Sequence, residues 1–176
     1  PPLIPTTFLI AGSASKPRTR SGVARLELPR PAKLLRELMH MGQYIQSHGM
    51  HFFHLAAPDL VLGFDADPAI RNVVGIIGAT HDLPLKAVNL RRYGQQIIER
   101  LGGKRIHPYF AIPGGVTNSL SAKDRDAILS EFGTMVEIAK VAVSIGKGWI
   151  GANKELVDSF ASFPSCYMGL VDMEGG

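Results

Sequence analysis

Three histidines, His48, His51 and His54, fall at intervals of three within residues 32–62, AKLLRELMHMGQYIQSHGMHFFHLAAPDLVL. Imidazole titrates near neutral pH and ligates metals, so an H-x-x-H-x-x-H run can share a metal ion or pass a proton. On a helix a step of three turns about 300°, which brings each neighbouring pair onto adjacent positions. A metal site needs a third or fourth ligand. Asp59 is near in sequence but lies beyond Pro58. The plainer reading is structural: His48 is a hydrogen-bonded core histidine, and His51 and His54 are partly exposed. Spacing alone leaves both readings open. Cys166 is the only cysteine, which excludes an intramolecular disulfide and a cysteine-rich metal site. Its default setting is a reducing compartment. Nothing around Cys166 supports a nucleophile paired with a distant histidine. Gly102-Gly103-Lys104 and Pro113-Gly114-Gly115 match no phosphate-loop pattern and read as a helix stop and a turn. No G-x-S-x-G elbow occurs.

The histidines need a helix to carry them, and the spacing supplies one. Leu34, Leu38, Met41, Ile45, His48, Phe52 and Leu55 step by four and three, which draws one stripe down a helix over about residues 31–57. Pro31 suits a first turn. Pro58 is expected to end or kink the helix. Asp67 as cap and Pro68 in the first turn predict a second helix to about Ile77, closed by Gly78. Thr80 and Asp82 open a third, about Leu83 to Leu101, stopped by Gly102-Gly103. Residues 104–116, KRIHPYFAIPGGV, read as an extended segment or loop with a small strand pair. Ser121 starts a fourth long helix that fades near Gly146 or Gly148, and residues 152–160 form a shorter one. Residues 165–172 suggest a terminal strand. The fold class is mainly α, a bundle-like multi-helix fragment with minor short β segments.

The chain has 176 residues, 45% apolar and 19% charged, ordinary values for a folded domain with a real core. Residues 1–30 hold five basic residues against Glu27 alone, a surplus of four that equals the net charge of the whole chain. The basic excess is therefore a tail rather than a basic face, which argues against a nucleic-acid binder. Sparse aromatics argue the same way for single strands. No apolar run reaches the roughly 18 to 20 residues that span a bilayer, and the start lacks the charged segment of a secretory signal. The expected organisation is an irregular basic leader over 1–27 and a domain over 28–176.

Together these residues carry a resemblance. LLRELMHMGQYIQSHGMHFFHLAAPDLVLGF resembles the central helix of NiFe hydrogenase large subunits, and above all the cytoplasmic, NAD-linked bidirectional type. The family's H-x-x-H-F-F/Y-x-L element is matched by His48, His51, Phe52, Phe53 and Leu55. Its G-G-K-x-x-H-P element is matched by Gly102, Gly103, Lys104, His107 and Pro108, and its P-G-G turn by Pro113 to Gly115. SxxDRDxIL and FPSCYMGLVDMEGG also fit, so the resemblance covers about residues 28–176.

The resemblance implies a partial large-subunit domain. Its parent reaction is reversible hydrogen oxidation coupled to NAD reduction, with electrons passing through iron–sulfur clusters of a small subunit, then through diaphorase subunits. The parent centre, NiFe(CN)₂CO, is held by four cysteines in R-x-C-G-x-C-x-x-x-H and D-P-C-x-x-C motifs. Neither motif is present. Residues 7–25, where the first is expected, do not match it and read as a frameshifted or foreign leader. Nickel in such a centre needs deprotonated thiolates, so no intact catalytic or metal-binding residue is expected. The chain alone is expected to bind no such centre and turn over no hydrogen. His48, His51 and His107 become candidates for supporting the metal ligands or handling protons. Ser47 stands where many relatives carry an acid, and it cannot relay a proton by ionising. The alternative is a non-catalytic helical interaction module that contacts a hydrogenase small subunit. A third reading is an independent histidine-metal protein.

Overall fold

Helix α1 spans Arg30–Met50, with Pro31 in its first turn and no side-chain cap at Pro29. The computed structural model describes residues 27–80, 82–166 and 169. The leader expected over 1–27 therefore lies almost wholly outside the described residues. α1 does not stop at Pro58. It passes into a π-helical segment, His51–Ala56, and on into α2, Ala57–Leu62. A proline inside an α-helix would clash with the carbonyl four residues back. Here the turn before it widens, and the Ala57 N–H donates to the Phe52 carbonyl five residues back. Pro58 and Ala57 are both buried in the continuing helix. Gly63, at φ 91°, ends it.

The next helix, α3, spans Val73–Ala79, later than the expected start at Pro68. Asp67 instead forms a local turn, its carboxylate accepting from the Ala69 N–H at 2.9 Å. Asn72 is the actual cap: its side-chain oxygen accepts from Val74 N–H at 2.9 Å and Gly75 N–H at 3.2 Å. Gly78 lies inside the helix rather than closing it. Helix α4, Leu83–Gly102, matches the expected bounds within one residue. Gly103 takes the left-handed conformation at φ 76° and donates its N–H to Glu99 O at 2.8 Å, a C-terminal cap that a side chain would strain. A two-stranded antiparallel hairpin follows. β1 is Ala111–Ile112 and β2 is Gly115–Val116, with Ala111 opposite Val116.

Helix α5, Ala122–Ala152, runs straight through Gly146 and Gly148. The short α6, Lys154–Ser159, comes after Asn153. Ser165 and Cys166 form no strand, and most of the strand expected over 165–172 lies outside the described residues. Among the described residues no helix is long and apolar enough to cross a membrane. The mainly α expectation with minor β holds.

The core forms where α1 and the π segment pack on α4, and α4 packs on α5. Met39, Phe53, Leu90, Ile97, Leu101, Met135 and Ile138 lie in it. α1 and α4 approach closely because glycines face each other. A Cβ on Gly94 would sit 2.6 Å from both the Gln46 nitrogen and the Gly42 carbonyl oxygen. Tyr93 joins α4 to α5 by donating its hydroxyl to the Ile128 carbonyl at 3.0 Å. Burial, and then the charge of Glu131, raises its phenol above the ordinary value.

The start of α5 is fixed by Ser121 and Asp124. Ser121 Oγ accepts from the Asp124 N–H at 3.0 Å and donates to its carboxylate at 2.6 Å. Arg100 of α4 donates to the same carboxylate at 2.6 Å. The bond from Ser121, then that from Arg100, hold the Asp124 carboxyl below its ordinary value. A carboxyl lowered in the folded state contributes stability above its unfolded value and loses that contribution as pH falls through the folded value. Asp124→Asn is therefore expected to destabilise at neutral pH and to flatten the acid limb. Thermal midpoints measured from neutrality down past the ordinary carboxylate range, to about pH 2, should converge between wild type and variant only below about pH 4. Parallel curves would contradict the assignment.

Candidate functional site

The stripe read from the sequence splits into two rows, each with a seven-residue repeat. Leu38, Ile45 and Phe52 are partly buried and pack against the core. Leu34, Met41 and Leu55 are 52%, 48% and 59% exposed, and His48 is exposed between them. The fully buried positions of α1 are Ala32, Arg36, Met39, Gly42 and Gly49, a face rotated away from the expected one. Ala32, Gly42 and Gly49 admit close packing there and Met39 fills the space between them, so Leu34, Met41 and Leu55 lie outside the contact rather than at its centre.

His48 is thus not a core histidine. Its Nδ1 donates to the Tyr44 carbonyl at 3.0 Å, one turn back on its own helix. A carbonyl only accepts, so the neutral ring carries its proton on Nδ1 and Nε2 is the basic nitrogen. Tyr44 lies between two imidazoles, with ring centroids 4.2 Å from His40 and 5.3 Å from His48. His40, Tyr44 and His48 form one ladder at steps of four. His51 is exposed one turn on. His54 is partly buried, and its Nδ1 is buried with no hydrogen-bond partner, as is Nε2 of His40. The π segment explains the divergence of His51 and His54. Three residues cover less of the circle in a wider turn than in an α turn, so the two rings no longer share a side. The run of three does not form one site.

His107 lies far from this face in sequence, exposed in the loop between α4 and the hairpin, at φ 50°. It is a turn residue in the left-handed region, where non-glycine residues are uncommon. Among the described residues no group of three or more His, Cys, Asp or Glu could hold a metal ion. Cys166 is exposed and free. A nickel–iron centre needs four thiolates, and one thiol remote from the histidine face does not fit it.

Hydropathy gives no hint of the role of Arg36. It is 7% exposed and inserted between α1 and the hairpin. Its Nη2 donates to the carbonyls of Ile112 and Gly115, both at 2.6 Å, and its Nε to Gly115 O at 3.3 Å. Burial lowers its guanidinium from the ordinary value, and arginine remains a cation at neutral pH. Gly42 and Gly49, seven residues apart, are the one sequence signal for this face, and nothing in their spacing points to Arg36.

The class of this helical chain comes from comparison with known proteins. No protein-family model matches the chain. It is 47% identical over 146 residues to the F420-non-reducing hydrogenase vhu subunit of Methanocaldococcus jannaschii, covering 83% of this chain and 35% of that protein. It is 38% identical over 146 residues to NAD-reducing hydrogenase HoxS subunit beta of Cupriavidus necator, covering 80% and 30%. The fold matches a chain of the crystal structure of NAD+-reducing NiFe-hydrogenase in the H2-reduced state with a TM-score of 0.74 and 42% identity, over 78% of this chain and 30% of that one. The chain spans about a third of the length of the curated relatives it matches.

The similarity is to subunits of hydrogenases, which are oxidoreductases, and an NAD-linked one is among them. One expectation is corrected. The relatives are named HoxS subunit beta and the vhu subunit of F420-non-reducing hydrogenase, so the assignment to the catalytic large subunit is replaced by one to hydrogenase subunits of those names. The NAD-linked likeness is supported by HoxS subunit beta and by the NAD+-reducing NiFe-hydrogenase structure, beside the F420-non-reducing relatives.

Proposed function

We propose that the chain is a non-catalytic helical module that contacts a partner within a hydrogenase complex. The observation that carries this reading is the outer face of α1. Leu34 and Met41 stand exposed in one row with His48, and Leu55 is exposed in the π segment beyond, on a helix packed from behind by the Gly42–Gly94 contact. An exposed apolar row on a packed helix, with one polar histidine within it, is a form that helix-mediated contacts take. The similarity to subunits of multi-subunit hydrogenases supports a hydrogenase partner. That partner is the iron–sulfur small subunit, with diaphorase subunits in the NAD-linked case. A cytoplasmic setting belongs to the same reading and rests on the single reduced cysteine. In this reading the chain carries no nickel–iron centre of its own.

The test is capture of a hydrogenase iron–sulfur small subunit by the tagged chain. Capture is expected, and Met41→Glu combined with Leu55→Glu should weaken it about tenfold or more, since burying two charges costs well over 1.4 kcal/mol. No capture by the wild-type chain overturns the partner. One nickel bound per purified chain, or hydrogen uptake by it, overturns the non-catalytic part.

A further inference from the structure

Helix α5 carries two apolar seams, and only one of them is covered. The first, Ile128, Met135, Ile138, Ala142 and Ile145, faces the core. The second lies beside it: Leu129, Phe132, Val136, Ala139, Val143 and Ile150, at steps of three, four, three, four and seven. Leu129, Phe132, Val143 and Ile150 are all more than half exposed. At about 100° per residue, Lys140 and Lys147 fall next to this seam on the side away from the core. Lys140 is paired with Glu137, and Lys147 makes no ion pair among the described residues. A three-four repeat of Leu, Phe and Val is the spacing on which another helix packs at a shallow angle, and flanking charges select its partner.

We propose that this second seam is the docking site for an amphipathic helix with acidic flanks, supplied by the part of a hydrogenase subunit that this chain does not represent. Three observations converge on that occupant. The solved relative shares this fold over only 30% of its chain, so more than two thirds of it is additional polypeptide. The seam has helix-pairing periodicity over five turns. On its free side Lys147 makes no ion pair among the described residues, beside the Lys140–Glu137 pair. The inference rests on the hydrogenase-subunit reading but uses a face other than the outer row of α1, so the two can fail separately.

The probe is a set of peptides of about 25 residues, long enough for some seven helical turns. They tile the Methanocaldococcus jannaschii relative outside the matched region and are titrated against the intact chain. At least one peptide, with acidic residues beside an apolar three-four repeat, is expected to bind. Val143→Asp, on an exposed position, should leave the helical circular dichroism unchanged and weaken that binding about tenfold or more, and Ile150→Asp should act likewise. Met41→Glu on α1 should leave it unchanged. Absence of binding by every peptide overturns the proposal, as does binding that survives both α5 substitutions. A chain that sediments as a dimer and becomes monomeric with Val143→Asp also overturns it, because the occupant is then a second copy.

Discussion

Gly94→Val is expected to destabilise the protein by about 3 kcal/mol or more, a large part of the roughly 5 to 15 kcal/mol available to a domain. The reason is the identity of the atoms in the way. A Cβ on Gly94 would meet the Gln46 nitrogen and the Gly42 oxygen at 2.6 Å, with Gln46 Cβ at 2.9 Å. The first two belong to the backbone of α1, so no rotamer change relieves them and the two helices must separate. Separation opens the contact around Ile97, Leu90 and Met39, which lies at the centre of the core. Gly133→Ala on α5 is the control of opposite sign. Nothing lies within 4 Å of its Cβ position, so only the helix propensity changes, a gain of about 1 kcal/mol. Urea midpoints of the two variants should fall on opposite sides of wild type. A Gly94→Val midpoint equal to wild type would refute the packing described for α1 and α4.

Arg36→Met is expected to cost about 3 kcal/mol and to release the hairpin. The guanidinium is the donor to Ile112 O and to Gly115 O, and bonds to a charged donor are worth about 1.5 to 3 kcal/mol each without adding fully. Methionine fills much of the volume and supplies no donor, so both carbonyls lose their partner. Arg36→Lys keeps the charge, but its single ammonium lacks the fork that reaches two carbonyls from two nitrogens, and it should recover less than half of the loss. Amide exchange gives the readout. Protection over Ala111–Ile112 and Gly115–Val116 should fall sharply while α4 remains protected. Equal loss across the whole molecule would show that Arg36 holds the bundle rather than the hairpin.

The sequence signalled some elements well, for identifiable reasons. Thr80 and Asp82 before α4 and a glycine pair at its end mark its bounds, and the glycine pair punctuates the backbone directly. Ser121 with Asp124 announced α5 because the cap is local chemistry. α3 was placed too early because Asp67 and Asn72 are both plausible caps, and only tertiary packing decides between them. Pro58 predicts an end or a kink because a proline within a helix is normally disruptive, and a π turn that absorbs it leaves no compositional mark. The face of α1 was misjudged by hydrophobicity itself, since the buried line runs through Gly42, Gly49 and Arg36. The histidines were visible, but their surroundings were not. Exposure of His48 and partial burial of His54 depend on which face packs and on where the turn widens. The hydrogenase likeness was legible from motif residues, whereas the type of subunit was not.

The π turn also separates two quantities that an α-helix ties together. In a regular helix, adding or removing one residue swings everything beyond it by about 100°. Between His51 and Ala56 the chain already holds one residue more than an α turn would need. This is therefore the place along α1 and α2 where the chain can change length without changing which way the flanking faces look. Met39 and Ala57 keep their place in the core on either side of that slack. A single-residue deletion there can be absorbed by closing the turn, at the cost of renewing the clash at Pro58. The same deletion anywhere in Arg30–Met50 would turn Arg36, Gly42 or Gly49 away from its partner.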